Sequence, residues 1–583
     1  MKFIKKMDIW LIFSLFSIII LLPQINQHAL VLGGDSLFHM NRFYDAMMQI
    51  KEGNIQYFVS MYGYSQSGRI VNALYGPYLA YINGFIMLLT HSWLKYQIVS
   101  DWIVNVIAAS TMYYLLRSNY VQKSYAVWIS ILYVTTYAVT AWTLSQQFLS
   151  WGAALFPLGI SAATRMIRDK NEPVKIIELA LSVTLIIQSH VLTSLILVLV
   201  LTVFFIWSMF TTYNIKKLIF GVLISSILTT MLTSNVWGAL LEVYGSNHLL
   251  APFHNMEPLQ NGTINLSLTN SQLSIGLATL IIIQIMYVFL NKNNLSKLNV
   301  GVTIIGLIFF ILSTNFLPWN TIFLHFKSIA IIQFPIRLFI PAITLLLLGL
   351  GLSLTDFSSR VQNHLNIDYL LIGLALFTVL NITAVVTDIS GQASFWKTEQ
   401  VITRKANVRE LVKGDRLRQL FDSKQDRGKA LEYVYKPTSD YVPILDKEAN
   451  IENPYGVFDK EIYKQNKSVT KSVVDRKLVV KWNDENGGDI RQIPIIKYQN
   501  TQLILNGQTL AKNQYSLSEI GTVSIKSKRG LNQMILSYQP SFIFHLLMVL
   551  NVLAWISVLI FLLIPKTVKL NIRKHYKRSK FLN

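Results

Sequence analysis

The sequence predicts an α-helical polytopic membrane protein of about 12 spans with re-entrant or interfacial helices. A C-terminal extracellular α+β domain containing a β-sandwich completes the predicted fold. Three observations carry this. The 583 residues are 52% hydrophobic and only 14% charged, whereas an average soluble domain has about 25% charged residues. Thirteen apolar runs follow one another along most of the chain. Between about Ile389 and Pro540 the runs stop and charges become dense.

The first run, 9–27, follows Lys2, Lys5 and Lys6. It is long enough to span, and the positive-inside bias leaves the lysines in the cytoplasm. The segment from Pro23 to Ala29 is a weak cleavage site, so the run reads as a retained anchor. Further runs lie at 78–93, 97–116, 124–144, 148–167, 175–189, 191–210, 218–237, 273–290, 300–317, 337–354, 368–388 and 543–564. The connectors holding Arg117 and Lys123, Arg168 with Lys170 and Lys175, Lys216 and Lys217, and Lys292 and Lys297 are expected in the cytoplasm. The connector 241–272 has Glu242 and Glu257 but no Lys or Arg, which suits the outside.

These sides are incompatible if every run crosses. The weakest run is 78–93, which follows Pro77 and is interrupted by Asn83, Gly84 and His91. It is expected to lie at or dip into the outer interface, within one external loop, 27–95. Twelve spans then leave both termini cytoplasmic. Residues 317–335 read as a second interfacial or re-entrant loop, tolerated where protein or a cavity satisfies its backbone. Around His190 two runs meet without a linker, and 175–210 far exceeds the roughly 20 residues a span needs, so a hairpin is favoured.

The organisation is a membrane domain at 1–388, an extracellular domain at 389–540 and a final helix with a basic tail at 541–583. The β-rich part begins at about 478, with Gly487-Gly488, Asn506-Gly507 and Arg529-Gly530 as turns. The tail holds Lys566, Lys569, Arg573, Lys574, Lys577, Arg578 and Lys580 without an acid, which suits anionic membrane lipids rather than nucleic acid. With no cysteine, disulfides, thiol catalysis and cysteine-bound metals are excluded.

Chemistry concentrates in Leu32–Asp45, LGGDSLFHMNRFYD. If residues after Gly34 form a helix, Asp35, His39 and Arg42 share one face. Asp35 is then either a helix cap or a functional carboxylate just outside the membrane, beside two glycines that let backbone approach a ligand. Arg337, at the start of an apolar run, is an anchor, a structural ion pair or a phosphate ligand, since guanidinium binds phosphate through paired hydrogen bonds. His190, flanked by Gln188, Ser189, Thr193 and Ser194, is a packing hydrogen bonder or lines the site. Arg69, Tyr75 and Tyr78 could touch sugar or phosphate, and Gln146, Gln147 and Trp151 offer sugar-binding chemistry. No nucleotide-binding glycine motif, HExxH or GxSxG sequence is present.

In GGDSLFHMNRF, in IIQFPIRLF and in EYVYKPTSDYVP beginning at Glu432, the chain resembles a bacterial membrane family named for a 6-pyruvoyl-tetrahydropterin synthase-related region. Its large multi-span members are read as GT-C type glycosyltransferases. The resemblance runs the length of the chain and implies a helical bundle with an acidic first external loop. It also implies a polyprenyl-phosphate-linked sugar donor and chemistry on the outer side. Base catalysis is carried to Asp35 only, and Arg337 and Arg42 become candidates for the donor phosphate by their chemistry. A clear second acidic motif is lacking, so a divalent metal stays open as a cofactor and no residue is assigned to one. The zinc-binding histidine cluster of the soluble pterin enzyme is not recognisable.

The expected function is transfer of a sugar from the polyprenyl-phosphate carrier to a cell-envelope acceptor, an anionic polymer or a lipid, at the plasma membrane. An envelope lipid or polysaccharide transporter or flippase, and a non-catalytic envelope assembly protein, are the alternatives. Between Trp396 and Lys429 ten basic residues face five acids, either as a solvated helix face or as a guide for an anionic acceptor.

Overall fold

The computed structural model describes residues 4–564 apart from 253–254, 267–271, 361–363, 404–406, 425 and 446–450. The basic tail from Lys566 and the basic pair Arg404 and Lys405 lie outside the described residues. Among those described, eight helices are long and apolar enough to cross a membrane: Ile9–Gln27, Trp93–Ser118, Lys123–Ser145, Val191–Met209, Ile215–Leu232, Pro335–Arg360, Tyr369–Lys397 and Phe542–Leu563. Each covers one of the expected spans. The other four expected spans form shorter or more polar helices.

In chain order, α1 (Ile4–Gln27) leads into α2 (Ser36–Glu52), α3 (Pro77–Thr90) and α4 (Trp93–Ser118). A broken span follows as α5 (Lys123–Val134) and α6 (Tyr137–Ser145), then α7 (Leu149–Arg168), α8 (Ile176–Ser189), α9 (Val191–Met209), α10 (Ile215–Leu232) and α11 (Ser234–Ser246). The short α12 (Pro258–Asn261) precedes α13 (Ile275–Asn291) and α14 (Lys297–Ser313), and α15 (Trp319–His325) precedes α16 (Phe339–Arg360) and α17 (His364–Ser394). Almost every side chain of α7 is buried. Its glycines let neighbours come close, Gly152 against Thr193 and Gly159 against Leu197. A helix enclosed by protein needs small residues more than apolar ones, which is why α7 is less hydrophobic than a lipid-facing span.

His190, in extended conformation between α8 and α9, breaks the long apolar stretch. Gly152 of α7 meets Thr193 of α9, and the hydroxyl of Ser208, near the end of α9, donates to the Met166 carbonyl, near the end of α7 (2.7 Å). These two helices therefore run the same way, and α8 between them runs back. The hairpin with its tip at His190 is the observed arrangement.

The four basic connectors gather at one end of the bundle. Arg168 Nη1 donates to Asn119 Oδ1 (2.8 Å), Thr212 Oγ1 to the Lys170 carbonyl (3.1 Å), the Gln122 amide to Thr355 Oγ1 (3.0 Å) and Arg360 Nη2 to the Asn294 carbonyl (2.6 Å). At the opposite end α1 and α4 are joined by Gln24 Nε2 donating to Gln97 Oε1 (2.8 Å). Both ends of α3 belong there. Gly76, before it, touches the Ser189 carbonyl, and α4 starts directly after it. At 14 residues α3 equals α8 in length, so what sets it apart from the spans is that both of its ends lie at one end of the bundle. Its Gly84 lets it press on Ala46 and Met47 of α2, while Ile82, Phe85 and Leu89 face outward. Reporter tags after Arg117, Lys217 and Lys297 are expected to report one side of the membrane, and tags at Gly262 and Asn486 the other. The positive-inside bias leads to the expectation that the first side is the cytoplasmic one. Signals from opposite sides for Arg117 and Lys217 would break this topology.

After α17, β1 (Arg409–Glu410) pairs with β2 (Val434–Tyr435), with α18 (Gly414–Asp422) and α19 (Lys429–Tyr433) between them and α20 (Pro454–Phe458) following. The chain then forms β3 (Thr470–Val474), β4 (Lys477–Asp484), β5 (Ile490–Ile496), β6 (Thr501–Leu505), β7 (Gln508–Thr509), β8 (Tyr515–Leu517), β9 (Thr522–Lys526) and β10 (Gly530–Tyr538). Two antiparallel sheets result, ordered β3-β4-β10-β6-β7 and β5-β9-β8. The β-rich part begins at Thr470 rather than about 478. The β3–β4 turn uses Asp475 and Arg476, both at positive φ, a geometry for which Asn-Gly is the usual signal. Leu478, Val480, Trp482, Ile525, Met534 and Leu536 share a buried core with Phe58, Val59, Met61 and Ile70 of the first long loop. Phe58 stacks on Tyr538, with ring centroids 4.4 Å apart. The last helix is α21 (Phe542–Leu563), which starts where Glu242 accepts the Ser541 amide (2.9 Å).

Candidate functional site

Asp35 occupies the N-cap position of α2, yet its side chain makes no capping hydrogen bond. Its carboxylate faces Lys436 Nζ at 3.7 Å and its side chain stays 47% exposed. Lys436 also donates to the Gly34 carbonyl (2.8 Å), so one lysine holds both backbone and carboxylate. The loop is anchored beneath by the Asp35 amide donating to the Ser145 carbonyl (3.2 Å). Gly33 is needed there, because a Cβ would strike the Ser145 backbone. Its value lies in this close approach to α6 rather than in flexibility.

Arg337 comes from the turn Pro335–Leu338 ahead of α16. Its Nη1 donates to the Ile332 carbonyl (2.8 Å) and to Gln333 Oε1 (2.9 Å), its guanidinium stands over Phe334 (5.0 Å), and its Nε is buried without a hydrogen-bond partner. Asp35 is an electrostatic neighbour of Arg337, Tyr75, Tyr455 and Asp440. Burial pushes the Asp440 carboxyl up, Arg69 and Lys436 pull it down, and Asp35 pushes it up again. The strip 436–443 that carries Lys436, Asp440 and Tyr441 is held by the Leu250 amide donating to the Val442 carbonyl (2.8 Å) and by Tyr498 Oη donating to the Tyr441 carbonyl (3.0 Å). The three segments GGDSLFHMNRF (33–43), IIQFPIRLF (331–339) and EYVYKPTSDYVP (432–443), well separated along the chain, thus meet at one end of the bundle.

The other sequence candidates form the floor and walls. Arg42 is fully buried, with Nε donating to Asn72 Oδ1 (3.0 Å), Nη1 to His39 Nδ1 (3.1 Å) and Nη2 to the Tyr75 carbonyl. It is sandwiched between Tyr75 (4.6 Å) and Phe148 (4.7 Å). With all three nitrogens engaged, Arg42 organises the floor and offers little to a ligand. His39 is 2% exposed and stacks on Phe148 at 4.9 Å. His190 is buried, caps α9 by accepting the Thr193 amide (3.2 Å), and meets Tyr75 edge-on. Arg69 is also fully buried. It donates to the Thr438 and Asp440 carbonyls and lies between Tyr64 (4.8 Å) and Phe458 (5.1 Å), welding the first loop to the C-terminal region. Ser36 donates to Gln146, which is buried with Trp151, while Gln147 is half-buried and accepts from Tyr137.

Burial holds the His39 imidazole well below the usual histidine range, and Arg42, His190 and Lys436 add to the effect. An unfolded histidine takes a proton below about pH 6.5, and the folded one does not. This group therefore subtracts stability as pH falls below about 6.5. The thermal midpoint is expected to drop more steeply from pH 7 to pH 5 in the wild type than in His39→Gln. Parallel slopes would show that His39 stays neutral for no energetic reason.

Lys436 and Asp440 carry much of the site's charge and were not legible as site residues, although the segment that holds them is. Asp101 is a second omission: it lies within α4 and is fully buried, with the Thr143 hydroxyl beside its carboxyl and no ion-pair partner among the described residues. An acid inside an apolar run is itself the signal. Among the described residues no group of three or more His, Asp or Glu side chains gathers that could hold a metal ion. No protein-family model matches the chain, and no curated protein is similar to it.

Proposed function

We propose that this multi-pass membrane protein is a glycosyltransferase of the GT-C type that moves a sugar from a polyprenyl-phosphate carrier to a cell-envelope acceptor on the outer face. The observation that carries the reading is the meeting of the three resembling segments around one half-exposed carboxylate with two cations beside it. Asp35 would take the proton of the acceptor hydroxyl as the acceptor oxygen bonds to the sugar's anomeric carbon and the sugar–phosphate bond breaks. Arg337 and Lys436 would stabilise the charge left on the departing carrier phosphate. A lipid-borne donor matches a site beside the apolar helices, and its phosphate stays at the membrane surface. The test is incubation of the purified protein with labelled polyprenyl-phosphate sugar. Release of carrier phosphate together with a glycosylated acceptor supports the enzyme.

The break at His190 and the buried Asp101 are the features that a transporter or flippase would use. Movement of unmodified lipid across vesicles without sugar transfer would favour that reading instead.

The basic stretch before β2 divides into two roles. Arg409 pairs with the buried Asp459 (3.3 Å), Arg418 donates to the Trp396 and Thr398 carbonyls, and Arg427 to the Met87 carbonyl. These three hold structure. Lys413 and Arg416 are exposed and make no ion pair among the described residues, which suits them to steer an anionic acceptor. Neutralising both is expected to raise the apparent KM for a polymeric anionic acceptor and not for a short neutral one, an effect that fades as salt shortens the Debye length from about 10 Å to 3 Å. Equal shifts for both acceptors would remove the steering role.

A further inference from the structure

At the end of the bundle opposite Asp35 a polar cleft of about 380 Å³ opens between the end of α7 and the junction of α9 and α10. That volume holds about a dozen waters. Arg165, Arg168 and Lys170 line it together with Tyr120, Tyr213 and a single acid, Asp169. Asp169 is taken by Arg165, whose Nη2 lies 3.0 Å from it while its Nε is buried without a partner. Arg168 and Lys170 make no ion pair among the described residues. Arg168 donates to Asn119 Oδ1 and stands over Tyr120 (5.4 Å), and Lys170 stands over Tyr213 (5.0 Å). Glu178 and Asp169 act on Arg168 through space, and three cations around one lining acid still leave the cleft net positive.

The surroundings say what fills it. Tyr120 and Tyr213 are largely exposed, as is Phe210, and the adjoining faces of α9 and α10 expose Ile206, Ile215 and Ile219. Aromatic residues of this kind mark headgroup depth, and the apolar faces beside them suit acyl chains. Basic pockets between membrane helices take anionic lipid headgroups, and guanidinium matches phosphate through paired hydrogen bonds. We propose that this cleft is a phosphate-binding site, distinct from the Asp35 site, whose ligand is the phosphate of an anionic membrane phospholipid.

The test uses the full chain in nanodiscs of phosphatidylcholine with increasing phosphatidylglycerol, and in detergent with inorganic phosphate. The thermal midpoint is the readout, since a ligand that binds the folded state raises it. Phosphatidylglycerol is expected to raise the wild-type midpoint by several degrees. In Arg168→Gln/Lys170→Gln the concentration needed for half of that rise is expected to increase about tenfold or more. Lys170→Gln alone, at an exposed position, covers the case in which the double variant folds poorly. The control Lys292→Gln/Lys297→Gln, at two exposed lysines of the same end of the bundle away from the cleft, is expected to keep the wild-type response. A variant-sensitive response to inorganic phosphate supports the same site with a free phosphate as its ligand. The proposal is overturned if neither ligand shifts the midpoint, or if the cleft variants and the control lose the same amount.

Discussion

Asp35→Asn is expected to lower sugar transfer by about 100- to 10,000-fold, the usual contribution of a positioned general base, with little change in the amount of folded protein. The structural reason for expecting a catalytic loss without collapse is specific. Asp35 makes no capping hydrogen bond to α2, so the helix start loses nothing when the carboxylate becomes an amide. Lys436 keeps its bond to the Gly34 carbonyl, and the Asp35 amide keeps its bond to Ser145. Only the half-exposed ion pair at 3.7 Å disappears, and such pairs contribute about 0–1 kcal/mol. Rates would be measured with labelled polyprenyl-phosphate sugar, and folding by gel filtration and thermal midpoint. Wild-type turnover of the Asn variant would reject Asp35 as the base, and loss of folded protein would return it to a structural role.

The largest stability effect is expected at Asp45, which no part of the proposed chemistry uses. Its Oδ1 accepts the amides of Met61 (2.8 Å), Tyr62 (2.7 Å) and Gly63 (3.2 Å), and Oδ2 accepts from Gln49 (2.7 Å). These bonds fix a loop in which Tyr64, Ser65 and Gln66 are all left-handed, with φ of 53, 57 and 50. A left-handed non-glycine residue costs about 1–2 kcal/mol, so the tip needs outside support. Lys471 supplies more of it, donating to the Ser65 (2.8 Å) and Pro494 (2.7 Å) carbonyls. Asp45→Ala would leave three amides unpaired, those of Met61 and Gly63 buried and that of Tyr62 half-buried, at about 1–3 kcal/mol for each buried one. A loss of about 3 kcal/mol or more is expected in denaturant or thermal unfolding, with Asp45→Asn losing less because one acceptor oxygen remains. Burial pushes the Asp45 carboxyl up to about 6 against the pull of its hydrogen bonds. Its own contribution to stability therefore weakens as pH rises from about 4 through 6, opposite in sign to His39. An Ala variant as stable as the wild type would show that the loop holds itself.

Much of the membrane architecture follows from one-dimensional chemistry. Apolar runs near the length of a bilayer cannot do much else, and the lysines and arginines between them sort the connectors. The four basic connectors do converge on one end, α3 does remain on the other, and His190 does break its apolar stretch. Turn residues such as Asn506-Gly507 were also visible, because positive φ favours those residue types. The site was legible only in part. Asp35, His39 and Arg42 share one helix face as their spacing predicts, but spacing carries no information on burial. Only packing made Asp35 half-exposed and turned Arg42, His39 and Arg69 into buried supports, because their neighbours Tyr75, Phe148, Tyr64 and Phe458 come from other segments. Lys436 reaches Asp35 across some 400 residues of chain, a contact that no local pattern encodes, and brings Asp440 within electrostatic range of it. Local periodicity determined which segments enter the membrane and where they turn. Long-range packing alone decided which charges remain free to meet a ligand.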